Sequence, residues 1–199
     1  MIEYQPELDL RTGAIIGMEA LVRWRHPTKG LLGPGKFIPL AEESGEITQI
    51  GRWVLSEACE RTAELNRTLP PGQCPLIVSV NVSSAQLTPA FVGQVRAVLD
   101  RSGLAPAQLR LEITESILLA DFDRVRDLLQ ELKRLGILIA IDDFGTGFSS
   151  LSYLHQLPID VVKIDQSFVR GLDGDDRRLA IVKGICILSR AIGAEPTAE

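Results

Sequence analysis

Five polar residues stand near the ends of apolar, β-rich segments of this sequence. Asn81 and Asp142 each end such a segment, while Glu112 and Lys163 lie in the last halves of theirs. The carboxyl ends of parallel strands meet at one edge of a sheet or at one mouth of a barrel. Alternate residues of a strand share a face, so Glu19 joins the set if these faces point inward. We therefore expect the five side chains to converge.

These residue types indicate chemistry on a phosphate group. Several carboxylates that converge repel one another unless cations neutralise them. The oxygens of Asp, Glu and Asn suit Mg²⁺ or Mn²⁺ rather than zinc. Two such ions can clamp a phosphodiester and ionise a water for in-line attack, and a neighbouring lysine can hold or deprotonate that water. Residue types and their spacing alone indicate a metal-dependent enzyme that acts on a phosphate compound, and they do not identify the substrate further.

Alternating strands and helices must position these residues. Residues 1–10 and 14–24 predict a hairpin, and a loop rich in proline and glycine follows over residues 26–35. The expected strands that follow are 76–81, 109–114, 137–142 and 161–164, with the start of one more at 194–199. Helices are expected over 37–43, 48–69, from 88 onward, 122–135, 151–156 and 175–192.

This repetition favours parallel strands joined by right-handed crossovers. Two architectures have that connectivity, an open doubly wound sheet and a (β/α) barrel. A G-x-G-x-x-G motif after the first strand would favour the open sheet, and the sequence has none there. The segment that begins at Gly145 is a near miss, which also lacks the lysine of a P-loop.

Composition excludes several classes of protein. The chain of 199 residues has 21 Lys and Arg against 26 Asp and Glu, a net charge of −5. That balance argues against DNA, because sequence-independent nucleic-acid binding needs a basic face. No apolar run approaches the length that spans a bilayer, so no membrane contact is expected from this segment. Three widely spaced cysteines without a C-x-x-C pair favour a reducing, cytoplasmic compartment.

Six ordered motifs resemble those of the EAL domain, a family of bacterial phosphodiesterases that hydrolyse the second messenger cyclic di-GMP. The motifs are Tyr4-Gln5-Pro6, Glu19-Ala20-Leu21-Val22-Arg23-Trp24, Asn81-Val82-Ser83, Glu112-Ile113-Thr114-Glu115, Asp142-Asp143-Phe144-Gly145-Thr146-Gly147 and Lys163-Ile164-Asp165. Singly, each has an ordinary explanation, such as a solvated strand end for Glu19 or Glu112 and turn chemistry for Asp142-Asp143. Their shared order over the whole chain makes the resemblance specific.

The resemblance implies a fold and a metal centre. The fold is α/β, a TIM-like (β/α) barrel whose first strand runs antiparallel to the rest. The centre holds two Mg²⁺ or Mn²⁺ ions, with Asp142 bridging them. The ligands implied for the two ions are Glu19, Asn81, Glu112, Asp142 and Asp143, and Glu199 aligns with a further ligand.

The resemblance also implies roles for other residues. Lys163 positions the attacking water and, with Glu19 and Glu115, belongs to the catalytic set. Glu115 resembles the glutamate that anchors the loop over residues 143–150. Gln5, Leu21 and Arg23 resemble substrate contacts, with Arg23 directed toward a phosphate, and the product is linear pGpG.

Family members also suggest how the chain is organised. They are often fused to sensor, GGDEF or transmembrane segments, and often form homodimers, so a membrane-anchored parent protein is compatible with a cytoplasmic domain. Residues 1–199 are expected to be a single EAL domain, truncated before the eighth strand and without the helix that normally precedes Tyr4. Pro196, which removes a ladder donor, and the truncated end motivate an alternative. That alternative is a non-catalytic cyclic di-GMP receptor or partner-binding domain, with this fragment inactive.

Overall fold

The computed structural model describes residues 1–145, 154–172 and 174–198, without the side chains of residues 119 and 120. Its strands are β1 (Ile2–Leu8), β2 (Ile15–Val22), β3 (Trp24–His26), β4 (Gly30–Leu32), β5 (Ile77–Asn81), β6 (Leu109–Thr114), β7 (Leu138–Phe144), β8 (Val161–Ile164) and β9 (Glu195–Ala198). Its described helices are α1 (Ile38–Ser44), α2 (Ile47–Thr68), α3 (Pro89–Ser102), α4 (Glu115–Ala120), α5 (Phe122–Arg134), α6 (Gln166–Val169) and α7 (Asp176–Ala191).

The chain divides into two compact units. Unit 1 comprises Met1–Leu111 and Leu135–Ile137, and unit 2 comprises the rest of the described chain. Strand β6 begins in the first unit and ends in the second. A single domain over residues 1–199 stays a prediction.

Unit 1 begins with the expected hairpin. Strand β1 pairs antiparallel with β2, and β2 pairs parallel with β5. Asp9 forms the turn, because its carboxylate accepts the backbone N–H groups of Arg11 at 2.7 Å and Thr12 at 3.2 Å. Gly13 closes the turn with φ 70°, a conformation that glycine adopts without a steric penalty. The expectation that the first strand runs antiparallel to its neighbour is confirmed.

Helix α2 covers the strands of unit 1 with one apolar face. Val54, Leu55, Ala58 and Cys59 are buried along it at the spacing of an amphipathic helix. The helix ends at Thr68, just before a Pro-Pro-Gly sequence that cannot continue it. The sequence therefore predicted the extent of this helix to within one residue at each end.

Unit 2 contains the parallel strands β7, β8 and β9, adjacent in that order. Helix α5 buries Val125, Leu128, Leu129 and Leu132 on one stripe. Asp175 caps α7 by accepting the backbone N–H groups of residues 177 and 178. The segment predicted to begin one more strand does so as β9, with Pro196 opposite Val162.

Several local elements differ from the sequence-based expectation. The expected loop over residues 26–35 contains the second arm of a short hairpin, β3–β4, in which Trp24 pairs with Leu32. Short helices α4 and α6 were also not predicted, since four to six residues carry too little periodicity to be recognised. Residues 151–153 of the helix predicted over 151–156 lie outside the described residues. No described helix is long and apolar enough to cross a membrane.

Tyr4 carries a buried hydroxyl on β1. Within the described residues this oxygen has no hydrogen-bond partner. Burial, and secondarily the charge of Glu57, raises the pKa of Tyr4 from its ordinary value of 10.0 to about 12. Because the folded chain favours the neutral phenol, the contribution of Tyr4 to stability is fully present at pH values below its pKa in the unfolded chain. That contribution is lost as the pH rises through the folded value.

We expect Tyr4→Phe to leave stability near neutral pH within about 1 kcal/mol of the unaltered chain, because the hydroxyl has no partner to lose. Between the ordinary pKa and about 12, the phenylalanine variant should lose less stability than the unaltered chain. Urea unfolding on both sides of the ordinary value, with absorbance at the tyrosinate band, measures both effects. A large loss near neutral pH would contradict the absence of a partner.

Candidate functional site

Glu19 and Asn81 are joined side by side in unit 1. The Asn81 amide Nδ2 donates to Glu19 Oε1 at 2.7 Å. Gln5 lies directly opposite Glu19 in the β1–β2 register, and Ser79 lies opposite Glu19 on β5. Gln5, Glu19 and Asn81 therefore share one face, as strand alternation predicted. This face presents carboxylate and amide oxygens together.

Arg23 and Leu21 follow on the same face of the chain. Arg23 Nε donates to Glu3 Oε2 at 2.7 Å, with the side chain of Arg23 20% exposed and that of Glu3 45% exposed. Leu21 lies opposite Glu3 in the hairpin and is half-buried. The guanidinium of Arg23, for which the resemblance implies a phosphate contact, is therefore held by a surface carboxylate, and an anion could exchange with such a weak partner.

A buried ion pair in unit 1 was not foreseen. Arg110 of β6 pairs with Glu7 of β1, and its Nε also donates to Ser79 Oγ at 2.6 Å. A sequence signal existed, because Arg110 shares a strand face with Glu112 in a segment of buried residues. A charge buried there requires a partner, but the sequence does not say that Glu7 supplies it.

In unit 2, Lys163 of β8 contacts one carboxylate on the adjacent strand β7 and another on β6, the strand beyond it. Lys163 Nζ is 2.7 Å from Glu112 Oε2 and 3.1 Å from Asp142 Oδ1. The side chains of Lys163, Glu112 and Asp142 are 2%, 0% and 12% exposed. Charged groups are almost never so deeply buried unless they are paired. The predicted association of Lys163 with Glu112 and Asp142 is thus present within this unit.

A β-bulge places Asp142 and Asp143. Ile141 pairs with Val162 and Phe144 with Ile164, so two residues of β7 stand opposite Lys163 alone. Asp143 adopts φ 54°, and its backbone N–H donates to Asp142 Oδ1 at 3.0 Å. Bulges break the strict alternation of a strand and are frequent beside active sites, and positive φ is uncommon for a residue other than glycine.

Glu115 holds the chain just after this bulge. Its Oε2 accepts the backbone N–H of Gly145 at 3.3 Å, and its Oε1 is buried without a hydrogen-bond partner in the described part. Gly145 has φ 96°, and a Cβ built there would lie 3.0 Å from the ring of Phe168. Gly145 belongs to the loop over residues 143–150 that Glu115 is expected to anchor, but residues 146–150 lie outside the described residues, and the anchoring role stays a prediction.

Asp165 fixes the short helix α6 that carries Phe168. Its Oδ1 accepts the backbone N–H of Ser167 at 2.9 Å. The hydrogen bonds from Ser167 lower the pKa of the Asp165 carboxyl below its ordinary value. A charged N-cap starts the helix at Gln166, and so sets the ring against which Gly145 packs.

These residues match the chemistry of a hard divalent ion. Their donors are carboxylate and amide oxygens, the preferred ligands of Mg²⁺ and Mn²⁺. Unit 2 sets the carboxylates of Glu112 and Asp142 against the ammonium of Lys163, with Asp143 next along the bulge. Over the described ranges, no three His, Cys, Asp or Glu side chains are grouped as a metal site would group them. The ligand set stays a prediction, and its member Glu199 lies beyond the described residues.

Comparison with known proteins gives one family. The sequence profile of the EAL domain matches residues 1–199. A relative named cyclic di-GMP phosphodiesterase NbdA, from Pseudomonas aeruginosa, is 43% identical over the whole chain, which spans 25% of its length. The bifunctional diguanylate cyclase/cyclic di-GMP phosphodiesterase MucR of the same organism is 44% identical, and the chain spans 29% of it.

A solved structure agrees with these relatives. The structure described as the PaMucR phosphodiesterase in complex with c-di-GMP superposes with a TM-score of 0.92 at 42% identity, over 100% of this chain and 79% of that one. The match establishes the fold class as α/β and TIM-like. This chain thus spans roughly a quarter of its two named relatives.

Proposed function

Because the chain belongs to the EAL domain family, we propose that it hydrolyses one phosphodiester bond of cyclic di-GMP and releases linear pGpG. The two named relatives, which are called cyclic di-GMP phosphodiesterases, support the substrate. Within this chain, the buried group of Glu112, Lys163 and Asp142 is the observation that carries the proposal.

That group is costly unless it has a function. Two carboxylates and an ammonium taken out of water lose hydration that their attraction only partly returns, so a buried ion pair is weak evidence for stability. Buried, mutually dependent charges in one place are instead characteristic of functional sites. With Lys163 Nζ 2.7 Å from Glu112 and 3.1 Å from Asp142, the amine is fixed where we propose that it positions the attacking water.

EAL phosphodiesterases are metal-dependent as a class, and we propose two Mg²⁺ or Mn²⁺ ions for this chain. When bound, such ions neutralise charge on the phosphodiester and make water a better nucleophile. The proposed ligands are Glu19, Asn81, Glu112, Asp142, Asp143 and Glu199. Glu115 is a positioning residue in this scheme, because it holds the chain at Gly145 just after the bulge.

We propose substrate contacts for three side chains of unit 1. We assign Gln5 and Leu21 to the substrate surface, and Arg23 to a phosphate oxygen. Arg23 is fixed by a partly exposed partner, Glu3, and a phosphate is a better bidentate partner for a guanidinium than a single surface carboxylate oxygen. Binding then requires only that Arg23 exchange or share that partner.

The test is product formation by the whole chain. Purified protein with Mn²⁺ or Mg²⁺ should convert cyclic di-GMP to pGpG, separated by chromatography, and Glu19→Gln should lower turnover by at least about 10²-fold because it removes a charged metal ligand. A matched control is Glu3→Gln, whose carboxylate holds Arg23 but is not assigned to metal. A folded, metal-loaded chain without turnover would contradict the hydrolase.

Calorimetry separates the alternative, a receptor without catalysis. Binding of cyclic di-GMP in the presence of Ca²⁺, without product in Mn²⁺, would support the receptor.

We further propose that the domain works in the cytoplasm as part of a longer protein with sensor or GGDEF segments, and as a homodimer. Three cysteines that form no disulfide are consistent with a reducing compartment.

A further inference from the structure

A buried polar network lies among the strands of unit 1, apart from the proposed metal ligands. Arg110 pairs with Glu7, and the two side chains are 5% and 14% exposed. Arg110 Nε also donates to Ser79 Oγ at 2.6 Å, and Ser79 is fully buried. Apolar residues of similar volume are often as stable as such a pair. The network therefore needs an explanation other than stability.

Glu7 stands where the register of the hairpin changes. It lies opposite Gly17, and the β1–β2 register shifts between Glu7 and Leu8. A Cβ on Gly17 would lie 3.3 Å from Glu7 Oε2 and 2.8 Å from the carbonyl oxygen of Ile77. Glycine at this position therefore leaves room for the Glu7 carboxylate. Two residues along, the same register sets Gln5 opposite Glu19.

Ser79 connects Arg110 to the hydrogen-bonded pair of Glu19 and Asn81. Ser79 is opposite Glu19 in the parallel β2–β5 register and precedes Asn81 by two residues on the same face. A shift of β5 along β2 would therefore move Asn81 away from Glu19. Their hydrogen bond of 2.7 Å depends on the register that the Arg110 contact helps to fix.

We propose that Glu7, Arg110 and Ser79 are positioning residues, which hold β1, β2 and β5 in the register that aligns Asn81 with Glu19. They thereby prepare this pair to bind a divalent ion. Only the ion-binding half rests on the proposed function. The alignment of Asn81 with Glu19 is a property of the chain without metal and can be measured by itself.

Two serine variants provide the first test. Ser79→Ala removes the contact from Arg110, whereas Ser189→Ala removes an equally buried hydroxyl that donates to Ile185 O at 2.8 Å in unit 2. We expect Ser79→Ala to shift the Asn81 side-chain amide signals in a ¹⁵N NMR spectrum without metal. It should weaken Mn²⁺ binding about tenfold, the usual loss when a residue that orients a ligand is removed. Ser189→Ala should change neither.

A double variant, Glu7→Leu with Arg110→Met, provides a second test, which does not depend on packing lost at Ser79. Removing both charges avoids an unpaired buried ion, so the chain should fold. We expect the double variant to show altered Asn81 signals and an altered Mn²⁺ affinity, as Ser79→Ala does. Its unfolding midpoint should nevertheless lie close to that of the unaltered chain. Native Asn81 signals in Ser79→Ala or in the folded double variant would overturn the inference. If the unaltered chain binds no Mn²⁺, the proposed function fails, and the Asn81 signals still decide the positioning role.

Discussion

Replacing Lys163 with methionine will destabilise the metal-free chain by about 3–5 kcal/mol, the usual cost of removing one partner from a buried ion pair. Glu112 is fully buried and would lose an ammonium 2.7 Å away, and Asp142 would lose the same group at 3.1 Å. Methionine fills similar space without charge, so the loss reports the uncompensated carboxylates and not a cavity. Denaturant unfolding of both proteins with a chelator present measures it.

The same variant separates two functions of the amine. Mn²⁺ should stabilise Lys163→Met more than the unaltered chain, because a divalent ion can neutralise the carboxylates that the ammonium leaves. Turnover should stay abolished at saturating Mn²⁺, because no group then positions the water. Lys133→Met is the control, since Lys133 also contacts both carboxylate oxygens of Asp160, at 2.7 and 2.8 Å, but is partly exposed. Equal losses of unfolding free energy in the two variants would contradict the expectation that burial makes the loss of the Lys163 ammonium more costly.

Much of the framework followed from the sequence because its signals are local and periodic. The β-rich segments on either side of the turn Arg11-Thr12-Gly13 predicted β1 and β2. A continuous amphipathic stretch ended by proline predicted α2. Strand alternation, together with the assumption that these faces point inward, placed Glu19 and Asn81 on one face, which is where their hydrogen bond forms.

The remaining features depend on contacts between distant residues. The sequence Asp142-Asp143 does not by itself predict a bulge, because a bulge depends on which residues of β8 lie opposite these two. Glu7 and Arg110 are more than a hundred positions apart, and either could have faced solvent. The roles of Lys163 and Glu115 came from resemblance to a family. The identity of their partners became visible only with coordinates.

Gly145→Ala should be a strongly damaging small change at the residue that follows β7. Its φ of 96° is costly for any residue with a Cβ, and the added carbon would lie 3.0 Å from Phe168 Cε2. We expect a loss of about 2–4 kcal/mol, which combines left-handed backbone strain with overpacking. Turnover should fall as well, because the backbone N–H of Gly145 is the donor to Glu115.

Gly171→Ala isolates the backbone part of that loss. Gly171 has φ 75°, and beyond its chain neighbours no described atom lies within 4 Å of the place that a Cβ would take. Its alanine variant should therefore lose only about 1–2 kcal/mol. Combining Gly145→Ala with Phe168→Leu should return part of the difference by making room for the methyl group. Because the Asp165 cap holds the backbone of α6, we expect the helix not to shift and any relief to come from the Phe168 side chain. If Gly145→Ala and Gly171→Ala lost the same stability, the contact with Phe168 would add nothing to the cost of Gly145→Ala.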